Sequence, residues 1–518
     1  MLFGFFSIST IVFVGLSSTY IYESLFITSK HHLQEVVHFF SVLIGGATDS
    51  SVTENELIYL RFVEDGKPVN HYFSIENVEH ADADAAGILQ TIEQAFVKKG
   101  LENWKDKLKG FGSDGASVNL GSRGGMATLI KRQCPHLVIV HCIAHRLELA
   151  ANSAIKHHRI MKEIQDLLHF LYKHYQYSPK ALRELCMIGE ALEEKILKPT
   201  NLSETRWLPH IYKALDVLVR GYRALLSHFE HIRESMVGTA EVQERTTFIS
   251  KKLKDYNFLY VLFVLDILKV LNVLSLKMQE DDLTISCLFD ALVTVTLSLV
   301  ELKTLNGSEL SNFINVAQDI QLKNVNQDDH SREKEVIIDL ILAALASRFE
   351  SMEKAATTIL TLSDWPENRN QLAVFGNEEI ALLLEHFHEI LERSGCNHDA
   401  IMNQNGEWKD FKAFVFRHRT TVKFENFFIF PDLRCRFRNR IFLLELLLSF
   451  PLSSAVCERG FSAMKWIKSD WRSSLKPDML RMLMYIFIEG PTVTSFNGQS
   501  VFDLWWSTGT TKETRVQP

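Results

Sequence analysis

Residues 38–49 read HFFSVLIGGATD, and the reading of this stretch decides the fold. A short apolar run closed by two glycines fits a buried strand that ends in a turn. NELIYLRFV at 55–63 has the β-branched and aromatic content of a second strand, and Glu64-Asp65-Gly66-Lys67 behind it is a hairpin signal. VNHYFSI at 69–75 gives a third strand. Ile88, Ile92, Ala95 and Phe96 then recur at helical spacing within 82–99. LKGFGSD at 108–114 predicts a short strand, 123–133 a helix, and LVIVHC at 137–142 another strand, with a further helix beginning near Ala144.

The predicted order is β-β-β-α-β-α-β-α, the order of an RNase H-like domain. From about 157 to 415 the character changes to long segments with i, i+3, i+4 apolar spacing, as in NFLYVLFVLDILKVLNVLSLKM at 257–278 and in 336–350. Proline is scarce there and strand signals are few. From 424 to 490 the chain turns apolar and aromatic again, and Pro451 with Ser453-Ser454 marks a helix start. The expected class is α/β: an RNase H-like mixed sheet over 38–156, a large all-α insertion domain over 157–415, and a completing segment over 416–490. The tail 491–518 is polar apart from Trp505-Trp506 and is expected to be loosely ordered.

Composition fits this plan. The chain has 518 residues, 46% apolar and 23% charged, which is enough for two or three domains with sizeable cores. Net charge is −7, so any nucleic-acid surface must be a local patch and not a global field. Seven scattered cysteines do not make a disulfide framework and point to a reducing compartment. The segment 1–37 begins with an uncharged apolar stretch, Met1 to Tyr22, of near-spanning length but without a basic residue before it. It reads as a signal or anchor, as a buried segment, or as a start foreign to the rest of the fold.

Four strings in order resemble the hAT family of DNA transposases: GFGSDGASVN at 110–119, HCIAHRLELA at 141–150, ETRWL at 204–208 and SSAVCERGFSAMKWIKSDWR at 453–472. The resemblance covers about residues 38–490 and is nearest in flavour to the domesticated group similar to zinc finger protein 862. It implies an RNase H-like scaffold that cuts and joins phosphodiesters with two divalent ions, about 4 Å apart, held by three acids. Asp114 matches the second acid and Glu458 the third. By itself, Asp before Gly is a common turn pair, and Glu458 could pair with Arg459 or Lys465 on a helix surface.

The first acid is missing. Where family members read D-G-[SA]-T-D-S-S, this chain reads Gly45-Gly46-Ala47-Thr48-Asp49-Ser50-Ser51. Asp49 is a possible substitute, but on a continued strand it would lie about 13 Å from position 45, at ~3.3 Å per residue. Asp114 and Glu458 alone would hold Mg²⁺ weakly, because that ion gives up its water reluctantly. The expectation is a transposase-derived protein without catalysis; the alternative is an active metal-dependent hAT transposase or nuclease, with Mg²⁺ as its cofactor.

The resemblance also places His145, Arg206, Trp207 and Arg459 near DNA, with Trp207 offering a face to an unpaired base. The plainer readings are a tucked His145 beside a buried Cys142, and Trp207 as a core aromatic. The basic and aromatic segment 415–440 suits nucleic-acid contact and equally suits Arg stems over an apolar seam. The apolar runs 441–450 and 478–488 are either buried within one chain or, as the family implies, part of a C-terminal dimerisation region. Expected partners are a second copy or a related hAT-derived protein, and DNA. No small-molecule substrate is expected, nor a membrane. No Cys/His pair before residue 134 could build a zinc finger, so sequence-specific DNA recognition is not expected. The expected location is nuclear, with a membrane or secretory route through residues 1–22 as the alternative.

Overall fold

The computed structural model describes residues 18–48, 53–78, 84–202, 206–235, 239–255, 262–318, 328–349, 359–360, 365–403, 406–418, 421–492 and 494–508. The chain forms two compact units. The first joins Met1–Ile143, Gln279–Ser286 and Glu353–Pro518; the second joins Ala144–Met278 and Cys287–Met352.

The first unit is an α/β body around a five-stranded mixed sheet. Helix α1 (Ser18–Glu35) precedes β1 (Phe40–Thr48), β2 (Glu54–Glu64) and β3 (Lys67–Asn77). Helix α2 (Ala85–Lys98), β4 (Leu108–Ser113), the short α3 (Ser117–Leu120), α4 (Met126–Gln133) and β5 (Val138–His141) follow. The sheet order is β3-β2-β1-β4-β5. β1 pairs antiparallel with β2 and parallel with β4, so β1 is flanked on both edges near the centre. The β2–β3 turn takes positive φ at Asp65 (47°) and Gly66 (80°), the geometry that the Asp-Gly pair favours.

Period-two alternation along the strands supplies two apolar faces. Val42, Ile44, Ile58, Leu60 and Phe73 pack with Ile88, Ile92 and Phe96 of α2 and with Met126 and Ile130 of α4. Leu43, Leu57, Tyr59, Tyr72 and Ile75 pack on the other side with two helices from far along the chain, α11 (Ala455–Ile467) and α12 (Pro477–Glu489). A sheet covered on both faces needs strands that are apolar throughout, which is why 38–48 and 55–63 read as near-continuous apolar runs.

The second unit is helical. Helix α5 (Ile143–Ala151) leads into a series from Arg159–Gln176 to Asp328–Phe349, including α6 (Trp207–Arg220), α7 (Phe263–Lys277) and α8 (Ser308–Gln318). The Glu148 carboxylate on α5 accepts the Leu208 backbone N–H at 3.1 Å, capping the start of α6. Two of the four quoted strings are thereby joined. The stretch Ile285–Asn315 is long and apolar enough to cross a membrane, and Val293, Leu297 and Val300 on it are exposed.

Two expectations differ from the structure. The sequence pattern predicts a helical insertion to residue 415, but the second compact unit ends at Met352. The helices from Arg369 onward, including α9 (Glu407–Arg417) and α10 (Arg438–Leu448), belong to the first unit. Helical periodicity shows that a segment is a helix, not which core it joins. The tail, expected to be loose, carries helix α13 (Gly498–Thr508) with Val501 buried. Val501, Phe502 and Leu504 supply an apolar face within a segment whose polar average hid it.

Candidate functional site

The predicted acid positions fall at the end of β1, just past β4 and on the first turn of α11. β1 and β4 pair in parallel register up to Leu43 with Gly112, and continuing that register by two residues sets Gly45 alongside Asp114. The first turn of α11 lies over the same place. A Cβ built on Gly45 would stand 2.8 Å from the Cys457 Cβ and 3.6 Å from its Sγ. Glu458 is the next residue, exposed on that turn. Asp114 thus follows the strand next to Gly45, and the helical turn that carries Glu458 packs on Gly45 through Cys457.

Local structure explains this convergence. The loop before α11 is stitched to the end of β5: the Leu452 carbonyl accepts the Ile143 N–H at 2.9 Å, and the Ser454 N–H donates to the Cys142 Sγ at 3.2 Å. A buried Cys142 used in this way accounts for the cysteine of the C-x-x-H string without a metal. Pro451 lies against Gly112 of β4, where a Cβ would meet its carbonyl at 2.7 Å. Glycine in β4 is what lets this loop approach so closely.

Asp114 is half-buried, and its Oδ1 accepts the Ala116 N–H at 3.2 Å and the Asn119 side-chain amide at 2.9 Å. These bonds hold the carboxylate in the turn between β4 and α3. Asp49 lies outside the described residues.

A third acid, which the sequence reading passed over, sits nearby. Glu56 on β2 pairs across the strands with Gly46 and is 3% exposed. Its Oε1 occupies the space a Cβ on Gly46 would need, at 2.5 Å, and among the described residues its Oε2 has no hydrogen-bond partner. Burial pushes the Glu56 carboxyl up to about 8, with Asp114 and then Glu54 adding to the rise. Burial likewise pushes the Cys457 thiol well above its ordinary range, with Glu56, Cys142 and Glu458 contributing. An acid at the start of an apolar strand opposite a glycine is the signal that could have found Glu56. Among the described residues, no three His, Cys, Asp or Glu side chains are grouped closely enough to hold a metal ion.

The residues predicted to face DNA have diverse settings. Trp207 is 3% exposed, so it is the core aromatic of its unit, and no base can stack on its ring without local opening. His145 and Arg206 are half-buried in the second unit. Arg459 is exposed on α11 and ion-paired with Asp281, donating also to the Gln279 carbonyl at 2.9 Å. In the 415–440 segment Arg436 pairs with Asp410 at 2.6 Å and lies over Phe437 at 5.0 Å. Arg440 is fully buried over the rings of Trp408 (4.2 Å) and Phe411 (4.8 Å). For those two residues the seam reading holds. Arg417, Lys423, Arg434 and Arg438 are exposed, and Arg419 lies outside the described residues. The run 441–448 is almost entirely buried within the chain.

Comparison with known families gives two matches. Residues 27–123 match a family described as the ZMYM1/FAM200 RNase-like domain, and residues 411–488 match the hAT family C-terminal dimerisation region. The first contains Gly45 and Asp114, the second Glu458. Together they support a protein of hAT-transposase type and descent. The dimerisation match points to self-association or association with related proteins.

Proposed function

We propose that this chain is a domesticated, transposase-derived protein, similar to the zinc finger protein 862 group, that dimerises through its C-terminal region and has lost strand-transfer chemistry. The strand order β3-β2-β1-β4-β5, with a helical unit between the second and third acid positions, supports an RNase H-like reading of the body. The observation that carries the inactivity is Gly45. It stands two residues past the last β1–β4 pair, Leu43 with Gly112, as Asp114 does, supplies no ligand, and has the space beyond its Cα filled by Cys457. Mg²⁺ would be the cofactor of an active relative. Here Asp114 and Glu458 offer two carboxylates, and one Asp114 oxygen already accepts two donors. That is a poor fit for an ion that demands a near-ideal oxygen shell. Residual DNA affinity and a nuclear location complete the proposal.

Incubating the full chain with hairpin and nicked DNA in Mg²⁺ or Mn²⁺, beside a Glu458→Ala control, tests it. The expected result is no cleavage above that control. Metal-dependent cleavage that Glu458→Ala abolishes would restore an active enzyme, with Asp49 or another acid in place of Gly45. Sedimentation should show a dimer, and a tagged chain should fractionate with nuclei; recovery in membranes would overturn the location.

A further inference from the structure

Away from the sheet end, three side chains form a run of hydrogen bonds that the transposase reading does not use. The Ser29 Oγ, on α1, lies 2.8 Å from the His71 Nε2, on β3. The His71 Nδ1 lies 2.9 Å from the Glu489 Oε2, at the end of α12. The other Glu489 oxygen accepts the Tyr72 N–H at 2.5 Å, which fixes the carboxylate. All three residues belong to the first unit. His71 stands opposite Leu60 on β2, and Leu60 opposite Val42 on β1, so the group lies apart from the Gly45 position.

The order of the bonds sets the tautomer. An ionised carboxylate only accepts, so in the neutral ring the Nδ1 beside Glu489 carries the proton and Nε2 is left as an acceptor. The Ser29 hydroxyl then donates to Nε2. This is the arrangement of a nucleophile, its base and the group that orients the base. Packing holds it. The imidazole lies 6.2 Å from the Phe62 ring and edge-on to Tyr485 at 5.9 Å. Tyr22 and Phe26 pin α1 on Tyr485 at 5.3 and 6.1 Å. A hydroxyl inside a helix commonly turns back to the carbonyl four residues earlier. Thr28 does so, to the Ser24 carbonyl at 3.3 Å, whereas Ser29 reaches across to β3.

A nucleophile also needs access, and a donor for the oxyanion that forms on its target. Ser29 is half-buried, and the His71 and Glu489 side chains are 15% and 20% exposed, so the group opens to solvent. The Tyr485 hydroxyl is hydrogen-bonded with Ser29, and burial pushes its phenol well above the ordinary range, which keeps it a donor. Tyr485 and Glu489, four residues apart, share the face of α12 turned to β3 and α1, and the exposed Phe487 marks the opposite face. Self-association across that outer face leaves the group in place.

We propose that Ser29 is a nucleophile, with His71 as its base, that takes the acyl group from small carboxylic esters. The Ser29 Oγ bonds to the carbonyl carbon, its proton passes to the His71 Nε2, and Tyr485 donates to the oxyanion. The bond from that carbon to the leaving oxygen then breaks, and His71 gives its proton to the departing alcohol. Water repeats the two steps on the acylated serine, releasing the carboxylic acid and restoring Ser29. This goes beyond the proposed function and is independent of DNA contact and of dimerisation.

The test is reaction of the full chain with a fluorophosphonate probe, whose phosphorus takes the Ser29 Oγ as fluoride leaves. Peptide mass spectrometry locates the label, and p-nitrophenyl acetate reports turnover. The account expects Ser29 to be labelled in the folded chain and not in urea, and the label to be lost in Ser29→Ala. His71→Ala should slow labelling about a hundredfold or more, and Glu489→Gln about tenfold or more. The comparison of folded with unfolded chain needs no variant, so it holds even where a substitution costs stability. A Ser29 left unlabelled in the folded chain, or labelled equally in urea, would overturn the proposal and leave the three residues as a strut that docks α1 on β3. Labelling of Ser29 that His71→Ala leaves undiminished would overturn it as well.

Discussion

Asp266 in the helical unit and Glu56 in the sheet unit are both buried carboxylates, and the two are treated in opposite ways. In the helical unit Asp266, on α7, accepts the Glu309 N–H and the Leu310 N–H at 2.9 Å each, one on each oxygen. It caps α8, and Gly307 leaves room for it, since a Cβ there would collide with the carboxylate. In the sheet unit Glu56 is as deeply buried, yet among the described residues its Oε2 has no hydrogen-bond partner, and it stands in the field of Asp114. An acid that serves the fold is fully bonded. One whose Oε2 lacks a partner among the described residues, beside a glycine, is what a remnant polar site would leave. The contrast supports the reading of the sheet end as a remnant site.

Three substitutions break or sharpen that contrast. The largest effect should come from Asp266→Ala, which strips two buried N–H groups of their acceptor and should cost about 2–4 kcal/mol. Hydrogen exchange over Ser308–Gln318 is the readout, and unchanged protection there would remove the capping role. Gly45→Ala comes next. Its new methyl meets the Cys457 Cβ at 2.8 Å, so α11 must shift. The expected loss is roughly 1–3 kcal/mol in urea denaturation, typical of overpacking. A neutral result would mean that the space beyond Gly45 is open.

The smallest change has the opposite sign. Glu56→Gln should be close to neutral below pH 4.5 and stabilising by at least about 1 kcal/mol near pH 8, because it removes a buried acid that resists ionising. The pH dependence follows from the raised carboxyl. Between its ordinary value near 4.5 and about 8, the folded chain holds a proton that the unfolded chain releases, so this group's contribution to stability falls as pH rises through that window. Denaturation midpoints of the two proteins should converge below pH 4.5 and diverge above it. Equal slopes across the window would contradict the assignment.

Much of this was legible in the sequence, for a physical reason. Strands covered on both faces write their burial into unbroken apolar runs, so β1, β2, β4 and the hairpin at Asp65-Gly66 could be placed within a few residues. Asp114 and Glu458 could be named because each sits in a distinctive string. What stayed hidden depends on partners far along the chain. Lys109 reads as an exposed cation, yet it is fully buried in β4, donates to the Leu446 carbonyl and lies 4.0 Å from the Phe450 ring centre. Arg440 and Glu56 were hidden likewise, since pattern records polarity and not the neighbours that bury it. Trp207, Trp466 and Trp471 look alike in sequence; only packing separates the buried one from the two in water.

The most direct measurement on the central claim is a crystal of the full chain soaked in Mn²⁺ and read by anomalous scattering at the sheet end. The account predicts no paired ions between Asp114 and Glu458, and Cys457 packed on Gly45. Two ions about 4 Å apart, bridged by Asp114 and completed by a third carboxylate, would contradict it.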